Sequence, residues 1–468
     1  MRKWFYFILA ALLAAVAPSA RAYSVLTHEQ LIDLTWDTSI VPLLLSRYPT
    51  LTPQQIEEAR AYAYGGCVIQ DIGYYPFGDP FFSDLTHYVR SGDFVVNLFR
   101  NAGNADELAF AVGALSHYIG DSVGHADATN LAVPVEFPKL RARYGTTVNY
   151  AQGPSQHVRT EFAFDVNEIA HHRFAPVHYL RHVGLQVPTK QLALAFYQTY
   201  GLGEDFTERR GRRINVGGYR FAVRSFLPRI AYAVTLLHRD HEPADLQNAD
   251  LLRMERELQQ VAQKNHWDDY RKKPGIGTYC LAGLLYVLPK IGPIKFVSIK
   301  GPNVQTEMAY VKSVMQSVDT LNQTLRRFTP PPATRSTAAL AAAADTDSKL
   351  PADMAVSAAQ PHAQTAPNHP LANRDLDTGR VVQPAGYPLT DLTYARLLHR
   401  LALVPAEPVP PGVKQEILAY FQNPNLEYAS KRKPGGWDAV QKDLATLQAM
   451  TTRNEDQLFQ TYGDDRGN

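Results

Sequence analysis

The sequence predicts an all-α fold, and three observations carry that prediction. Apolar residues from His28 to about residue 330 recur mostly at helical spacing. The breaks between these runs carry helix caps rather than hairpin turns. Alternating strand patterns are scarce.

Taken in order, Met1 to Ala22 reads as a secretory signal. Arg2 and Lys3 form a basic start, Trp4 to Val16 an apolar run, and Ala20-Arg21-Ala22 a small-residue cleavage site, so cleavage leaves Tyr23 as the new amino terminus. The apolar run is shorter than the ~20 residues that an uncleaved anchor needs. The implied localisation is secreted, periplasmic or extracellular. Thr52-Pro53-Gln54-Gln55 supplies an N-cap, a first-turn proline and a capping-box glutamine. Asn104 and Glu107 repeat the device ahead of Leu108, Val112 and Leu115. Pro330 to Pro370 contains no aromatic residue and no isoleucine and is rich in Ala, Pro, Ser and Thr, which predicts a disordered linker over 330–375. Leu389 to Leu403, Gly412 to Gln422 and Trp437 to Met450 look like short helices within a C-terminal segment, 376–468, able to fold back onto the main body at 23–329. No internal repeat is visible.

At 468 residues, with 45% hydrophobic, 20% charged and 10% aromatic side chains, the chain can bury a sizeable core and is neither disordered nor fibrous. It carries 47 basic and 45 acidic groups. Three of the basic ones (Arg2, Lys3 and Arg21) and none of the acidic ones precede Tyr23, so a chain starting there has a net charge of −1. Charge therefore names no partner. Cys67 and Cys280 could form one bridge outside the cytosol, but one distant pair is no disulfide framework.

Of 15 histidines, the five in the first 160 residues, His28, His87, His117, His125 and His157, each sit near a carboxylate or the expected terminus. The sharpest element is His117-Tyr-Ile-Gly-Asp121-Ser-Val-Gly-His125. Its steps of four put three side chains on one helix face, along ~12 Å of axis. Asp121 at its centre can bridge two metal ions. His157 and Glu161, again four apart, supply a second helix of imidazole and carboxylate, a donor set that zinc favours.

Together, a terminus at Tyr23, His28 five residues later, Asp71 in Gln-Asp-Ile-Gly, His87 in Leu-Thr-His-Tyr, the 117/121/125 ladder and His157/Glu161 resemble the zinc-dependent phospholipase C family. That family shares its fold with the single-strand-specific zinc nucleases. The ordered set covers Tyr23 to about residue 170. The resemblance implies a multi-helix domain with a trinuclear zinc site. Asp71, His87, His117 and Asp121 would hold the first zinc, and His125, His157 and Glu161 the second. Asp121, His28 and the amine and carbonyl of Tyr23 would hold the third. The tight step from Asp121 to His125 is closer to glycosylphosphatidylinositol-specific phospholipase D. Ile72 and Asp84 stand where choline-reading lipases carry aromatics.

The chemistry follows from the donor set. Clustered Zn²⁺ neutralises a phosphodiester's charge, lowers the pKa of bound water toward ~7 and stabilises the attacking and leaving oxygens. Asp71 is the candidate catalytic base. The expected partner is a phospholipid substrate or membrane surface; no stable nucleic-acid partner is expected, and no protein partner is inferred. The rivals are a single-strand nuclease, phospholipase D-type cleavage, and a non-catalytic surface protein organised by zinc. Glu161, where the nucleases typically carry Asp, and the Tyr-Ser start favour the lipase.

Other features are less specific. Ile276 to Ile299, flanked by Arg271, Lys272 and Lys273, could form an interfacial hairpin, but a buried core helix and turn is the preferred expectation. Arg209, Arg210, Arg212 and Arg213 read as a solvated loop, and His171, His172, His178 and His182 as surface or core histidines. Tyr74, Tyr75, Phe77, Phe81 and Phe82 either wall a substrate cleft or pack.

Overall fold

The computed structural model describes residues 25–75, 78–204, 206, 216–237, 248–273, 275–287, 297–328, 371–422 and 436–453. The signal segment, Tyr23, Phe77, the arginines at 209–213 and the linker residues 330–370 lie outside these residues. Among the described residues there are helices but no strand, only two isolated bridges, Arg374 with Val381 and Val409 with Thr452.

The chain begins with α1 (Val25–Thr35), α2 (Val41–Arg47) and α3 (Pro53–Gly66), then a 3₁₀ turn over Ile69–Tyr74, α4 (Pro80–Tyr88) and α5 (Ser91–Arg100). The central helix α6 (Ala105–Gly124) runs into a π turn at His125–Thr129, followed by α7 (Asn130–Glu136), α8 (Pro138–Tyr144) and α9 (Pro154–Ala170). Next come α10 (Val177–Val183), α11 (Thr189–Tyr200), α12 (Val216–Phe221), α13 (Leu227–Leu237), α14 (Ala249–Lys264) and α15 (Trp267–Tyr270). The last are α16 (Ile276–Val287), α17 (Val304–Phe328), α18 (Pro388–Ala402), α19 (Pro411–Tyr420) and α20 (Gly436–Ala449).

The capping box at Thr52 and Gln55 forms as the sequence predicts. At α6, the Asn104 side chain accepts the Glu107 N–H at 2.9 Å, but the Glu107 carboxylate accepts from Gly103 at 2.7 Å, one residue earlier than a capping box requires. Every residue of α6 from Leu108 to Asp121 is buried, so this helix is the axis of the core rather than a surface helix with one apolar stripe. α3 crosses it where no side chain intervenes. A Cβ on Gly66 would lie 2.1 Å from the Phe110 carbonyl oxygen, and one on Gly113 would lie 2.2 Å from that of Ala63. α17 closes the other side, packing on α6 and α1 through Tyr310, Val311, Val314, Met315, Val318, Leu321 and Leu325, all buried.

Behind residue 370 the chain returns to the main body. α18 packs on α4 and α19 on α11. Arg396 pairs with Asp84 at 2.6 Å, and Glu416 with the buried Arg90 at 2.9 Å. The three predicted C-terminal helices are present as α18, α19 and α20.

Two expectations need correction, and the pairing of the two cysteines, left open by the sequence, is answered. Residues 371–375, placed in the linker by composition, are fixed: Asn373 is fully buried and accepts the Asp93 N–H at 2.9 Å. A polar stretch held by side-chain to backbone bonds leaves no apolar signal in the sequence. The Ile276–Val287 portion of the apolar segment is not a buried core helix. Only Ala282 and Leu285 of α16 are buried, while Ile276 is 84%, Tyr286 72% and Val287 78% exposed. A helix with no charged residue shows no periodicity from which to read which face packs, and here one side rests on α13. The cysteines do not pair; Cys67 is buried and Cys280 exposed.

Candidate metal centre

Eight of the nine residues singled out in the sequence converge in the core. The 3₁₀ turn supplies Asp71, α4 His87, α1 His28, and α6 with its π turn His117, Asp121 and His125. α9 supplies His157 and Glu161. They form three groups whose donor atoms lie within 4.8 Å of one another: Asp71/His87/His117, His28/His117/Asp121 and His125/His157/Glu161. All are buried, and the five histidines and Asp121 are fully so.

Asp121 joins the first two groups. Its Oδ1 is 3.2 Å from His28 Nε2, while its Oδ2 is 3.3 Å from His87 Nε2 and 3.2 Å from His117 Nε2. Asp71 Oδ1 lies 3.3 Å from the same His87 nitrogen. In the third group Glu161 Oε1 stands 3.0 Å from His125 Nε2 and 2.9 Å from His157 Nε2. All three side chains of the ladder lie buried in the core, although the backbone changes from α to π pitch at His125.

Backbone carbonyls set the tautomers. His87 Nδ1 bonds the Ser83 oxygen at 2.7 Å, and His117 Nδ1 that of Cys67 at 3.0 Å. His125 Nδ1 bonds that of Leu376 at 2.8 Å. A carbonyl only accepts, so each Nδ1 carries the proton and each neutral ring turns its Nε2 lone pair inward. Those lone pairs face carboxylates, and the Nε2 atoms of His87 and His117 face each other at 3.4 Å. Both oxygens of Asp121 and of Glu161, and Asp71 Oδ1, are buried without a hydrogen bond. Acceptors meeting acceptors in a dry core repel unless cations, as protons or metal ions, lie between them.

Without metal the protons take that role. Burial pushes His87 down, but the carboxylates of Asp121 and Asp71 outweigh it and raise its pKa to about 10. His125 is likewise opposed by burial and raised to about 10 by Asp121 and Glu161. His28 moves down, through burial and then repulsion from His117. Burial opposes the charge of Asp121, yet His117 and His125 hold its carboxyl well below the ordinary range. All-imidazole and carboxylate groups on an enclosed carboxylate bridge fit zinc.

Sequence reasoning missed two sets of supporting residues. Asp165 extends the His157 and Glu161 series by another four, yet it binds chain rather than metal, accepting Leu26 N–H at 3.2 Å and Thr27 Oγ1–H at 2.9 Å just ahead of His28. The repeated step of four was its signal. Leu376 and its neighbours are more than 200 residues from the ladder in sequence and had no signal. The other expectations resolve as packing. Tyr74 lies 5.4 Å from His87, Tyr75 stacks on Tyr219, Phe82 stacks on Phe196, and Arg396 covers Phe81. His171, His172, His178 and His182 join no metal-capable group and are at least partly exposed.

Residues 27–204 match the family described as zinc dependent phospholipase C. The matched segment contains all eight converging residues. No curated protein and no solved structure matches the chain.

Proposed function

From the match of residues 27–204 to the zinc-dependent phospholipase C family, a family of phosphodiester hydrolases, we propose an exported enzyme that cleaves phospholipids to diacylglycerol and a phosphorylated headgroup. Zinc is its cofactor. The observation that carries the reading is the place of Asp121, within 3.3 Å of His28, His87 and His117 and so against both donor groups that share His117, with a third group beginning one helical turn further along the same helix. Bound there, zinc supplies positive charge for the phosphodiester oxygens and a lowered pKa for water.

The residues divide the remaining work. His28, His87, His117 and Asp121 hold the bridged pair of groups in a fixed register, because their rings are packed and, for His87 and His117, tied to backbone carbonyls. His125, His157 and Glu161 hold the third. Asp71 has one oxygen against His87 and no hydrogen bond to spend it on, which suits a carboxylate that accepts the proton of the attacking water. The Met1 to Ala22 segment supports export.

The exposed face of α16 favours lipid over polynucleotide as substrate. Ile276, Tyr279, Tyr286 and Val287 are exposed and apolar, and Lys272 and Lys273, also exposed, precede them. Apolar and aromatic side chains beside lysines suit a lipid interface, whereas a nucleic-acid groove would carry basic residues throughout.

The test is a parallel assay of the mature protein on phospholipid vesicles and single-stranded DNA, with and without chelator, the lipid products resolved by thin-layer chromatography. Diacylglycerol that disappears with chelator is the expected result. Phosphatidic acid would instead indicate phospholipase D-type cleavage, and nucleotide release without lipid cleavage would indicate a nuclease.

A further inference from the structure

We infer that residues 371–387 form a strap that completes the metal centre, with the Leu376 carbonyl and the Asp377 carboxylate acting as positioning groups for His125. The inference rests on zinc binding, not on which phosphodiester is cleaved. It extends the functional unit well past residue 204, where the family match ends.

The strap touches both halves of the centre. Leu376, fully buried, donates its N–H to the His87 carbonyl oxygen at 3.0 Å and accepts His125 Nδ1–H on its own oxygen at 2.8 Å. One peptide-linked residue thus spans a residue of the bridged pair and a residue of the third group. Asp377 is also fully buried. Its Oδ2 accepts the hydroxyls of Tyr88 at 2.9 Å and Tyr387 at 2.6 Å, and its backbone oxygen accepts Asn130 Nδ2–H at 2.7 Å. That leaves Oδ1, which has no hydrogen bond, 3.9 Å from His125 Nδ1.

These contacts do a specific chemical task. His87 and His117 draw their Nδ1 acceptors from the helical domain itself, Ser83 and Cys67, whereas His125 draws its acceptor from a strap 251 residues away. The Leu376 carbonyl thereby fixes the tautomer that turns His125 Nε2 toward Glu161, 3.0 Å away. The Asp377 carboxylate adds a negative charge behind the ring, which strengthens the imidazole as a donor. Such outer partners change metal affinity by ~10- to 100-fold when removed.

The strap is fastened independently of the metal. Asn373 and Asp93 exchange two bonds, Asp93 N–H to Asn373 Oδ1 at 2.9 Å and Asn373 Nδ2–H to Asp93 Oδ2 at 3.1 Å. Tyr118 Oη–H reaches the Ala372 oxygen at 2.6 Å. At Gly379, φ is +68° and a Cβ would lie 2.2 Å from the Ser122 carbonyl oxygen on α6, so the strap meets the ladder helix backbone to backbone.

The test measures zinc in the full-length mature protein with three substitutions. Asp377→Asn removes the charge with little change of shape, and Gly379→Ala pushes the strap off α6 without altering a ligand. Leu447→Ala opens a cavity where α20 packs on α18 and α19 and serves as the destabilising control. After dialysis against a zinc buffer, the two strap variants should lose about one zinc equivalent, or bind it ~10- to 100-fold more weakly in competition with a chelator. NMR of ring-¹⁵N-labelled histidine should show the His125 Nδ1–H signal moved or lost in those two variants alone. Leu447→Ala should lower the melting temperature and keep its zinc. Should Gly379→Ala fail to fold, Asp377→Asn carries the test. Wild-type zinc content and affinity in Asp377→Asn, or equal zinc loss in Leu447→Ala, overturns the inference. A zinc-loaded wild type that cleaves no lipid would sink the lipase reading and leave this measurement intact.

Discussion

Replacing Asp121 by Asn should do more damage than any other single change at the centre, and the geometry sets the size of the effect. The carboxylate is fully buried, and its two oxygens face three imidazoles at 3.2–3.3 Å, His28 on one side and His87 and His117 on the other. Asn keeps the shape and removes the charge. Losing one partner from a buried charge network costs about 3–5 kcal/mol. At ~1.4 kcal/mol per factor of ten, zinc at each group that shares Asp121 should weaken on the order of 10²- to 10³-fold. Glu161→Gln meets the same penalty in one group only, because Glu161 faces His125 and His157 and no residue of the bridged pair. Elemental analysis after gel filtration should therefore find up to two zinc equivalents lost from Asp121→Asn and one from Glu161→Gln. Turnover on phospholipid vesicles should fall at least ~100-fold in the first. Full zinc content and activity in Asp121→Asn would refute the bridge, and equal losses in the two variants would refute the division into a shared pair and a separate third group.

The remaining predictions concern protons, the terminus and the lipid surface. In the zinc-free protein His87 and His125 titrate near 10, above the unfolded value of ~6.5, so their protons contribute stability that is fully present below pH ~6.5 and lost as pH rises through about 10. Zinc must displace those protons; calorimetry at pH 7 in buffers of different ionisation enthalpy should detect proton release on binding, and affinity should rise with pH over that window. Asp165 fixes Leu26 and Thr27 just ahead of His28, and one extra Gly before Tyr23 should cost the mature protein a zinc equivalent and most turnover if the terminal amine is a ligand; a fully loaded, fully active extended protein excludes that. Ile276→Ser with Tyr286→Ser should reduce turnover on vesicles several-fold and leave hydrolysis of a soluble short-chain phospholipid unchanged; an equal loss on both substrates would count against α16 as the lipid-facing surface.

Periodicity and caps made the helical domain legible because each signal is local. Thr52 with Gln55, and Asn104 ahead of the run at Leu108, are recognisable within four residues, and both begin helices in the fold. The metal ligands were legible for a related reason: the 117/121/125 and 157/161 pairs repeat with the pitch of one helix. What could not be read was burial direction in α16, where every residue is uncharged, and any contact made by a polar side chain to a distant backbone. Asn373 and Asp377 are ordinary loop residues in the sequence, and only the fold places them against Asp93, Tyr88 and His125.

The same contrast explains how so many titratable groups can occupy the middle of the protein. Three carboxylates and five imidazoles around α6 would be costly to bury one at a time, and a helical core made only of local decisions would exclude them. They are tolerated as a set because each imidazole carries its countercharge within about 3 Å, and because three of the five hand their second nitrogen to a buried backbone carbonyl, two from the helical domain and one from the strap. The Cys67 carbonyl is brought to His117 by the Gly66 and Gly113 crossing, and the Ser83 carbonyl reaches His87 within α4. Both are consequences of the helical domain folding. The Leu376 carbonyl reaches His125 only after the chain has passed residue 370, so the third group gains its last fixed partner later in the chain than the other two. If that order also holds in energy, zinc at His125, His157 and Glu161 should be the first to leave as chelator is titrated in, ahead of the pair that shares Asp121.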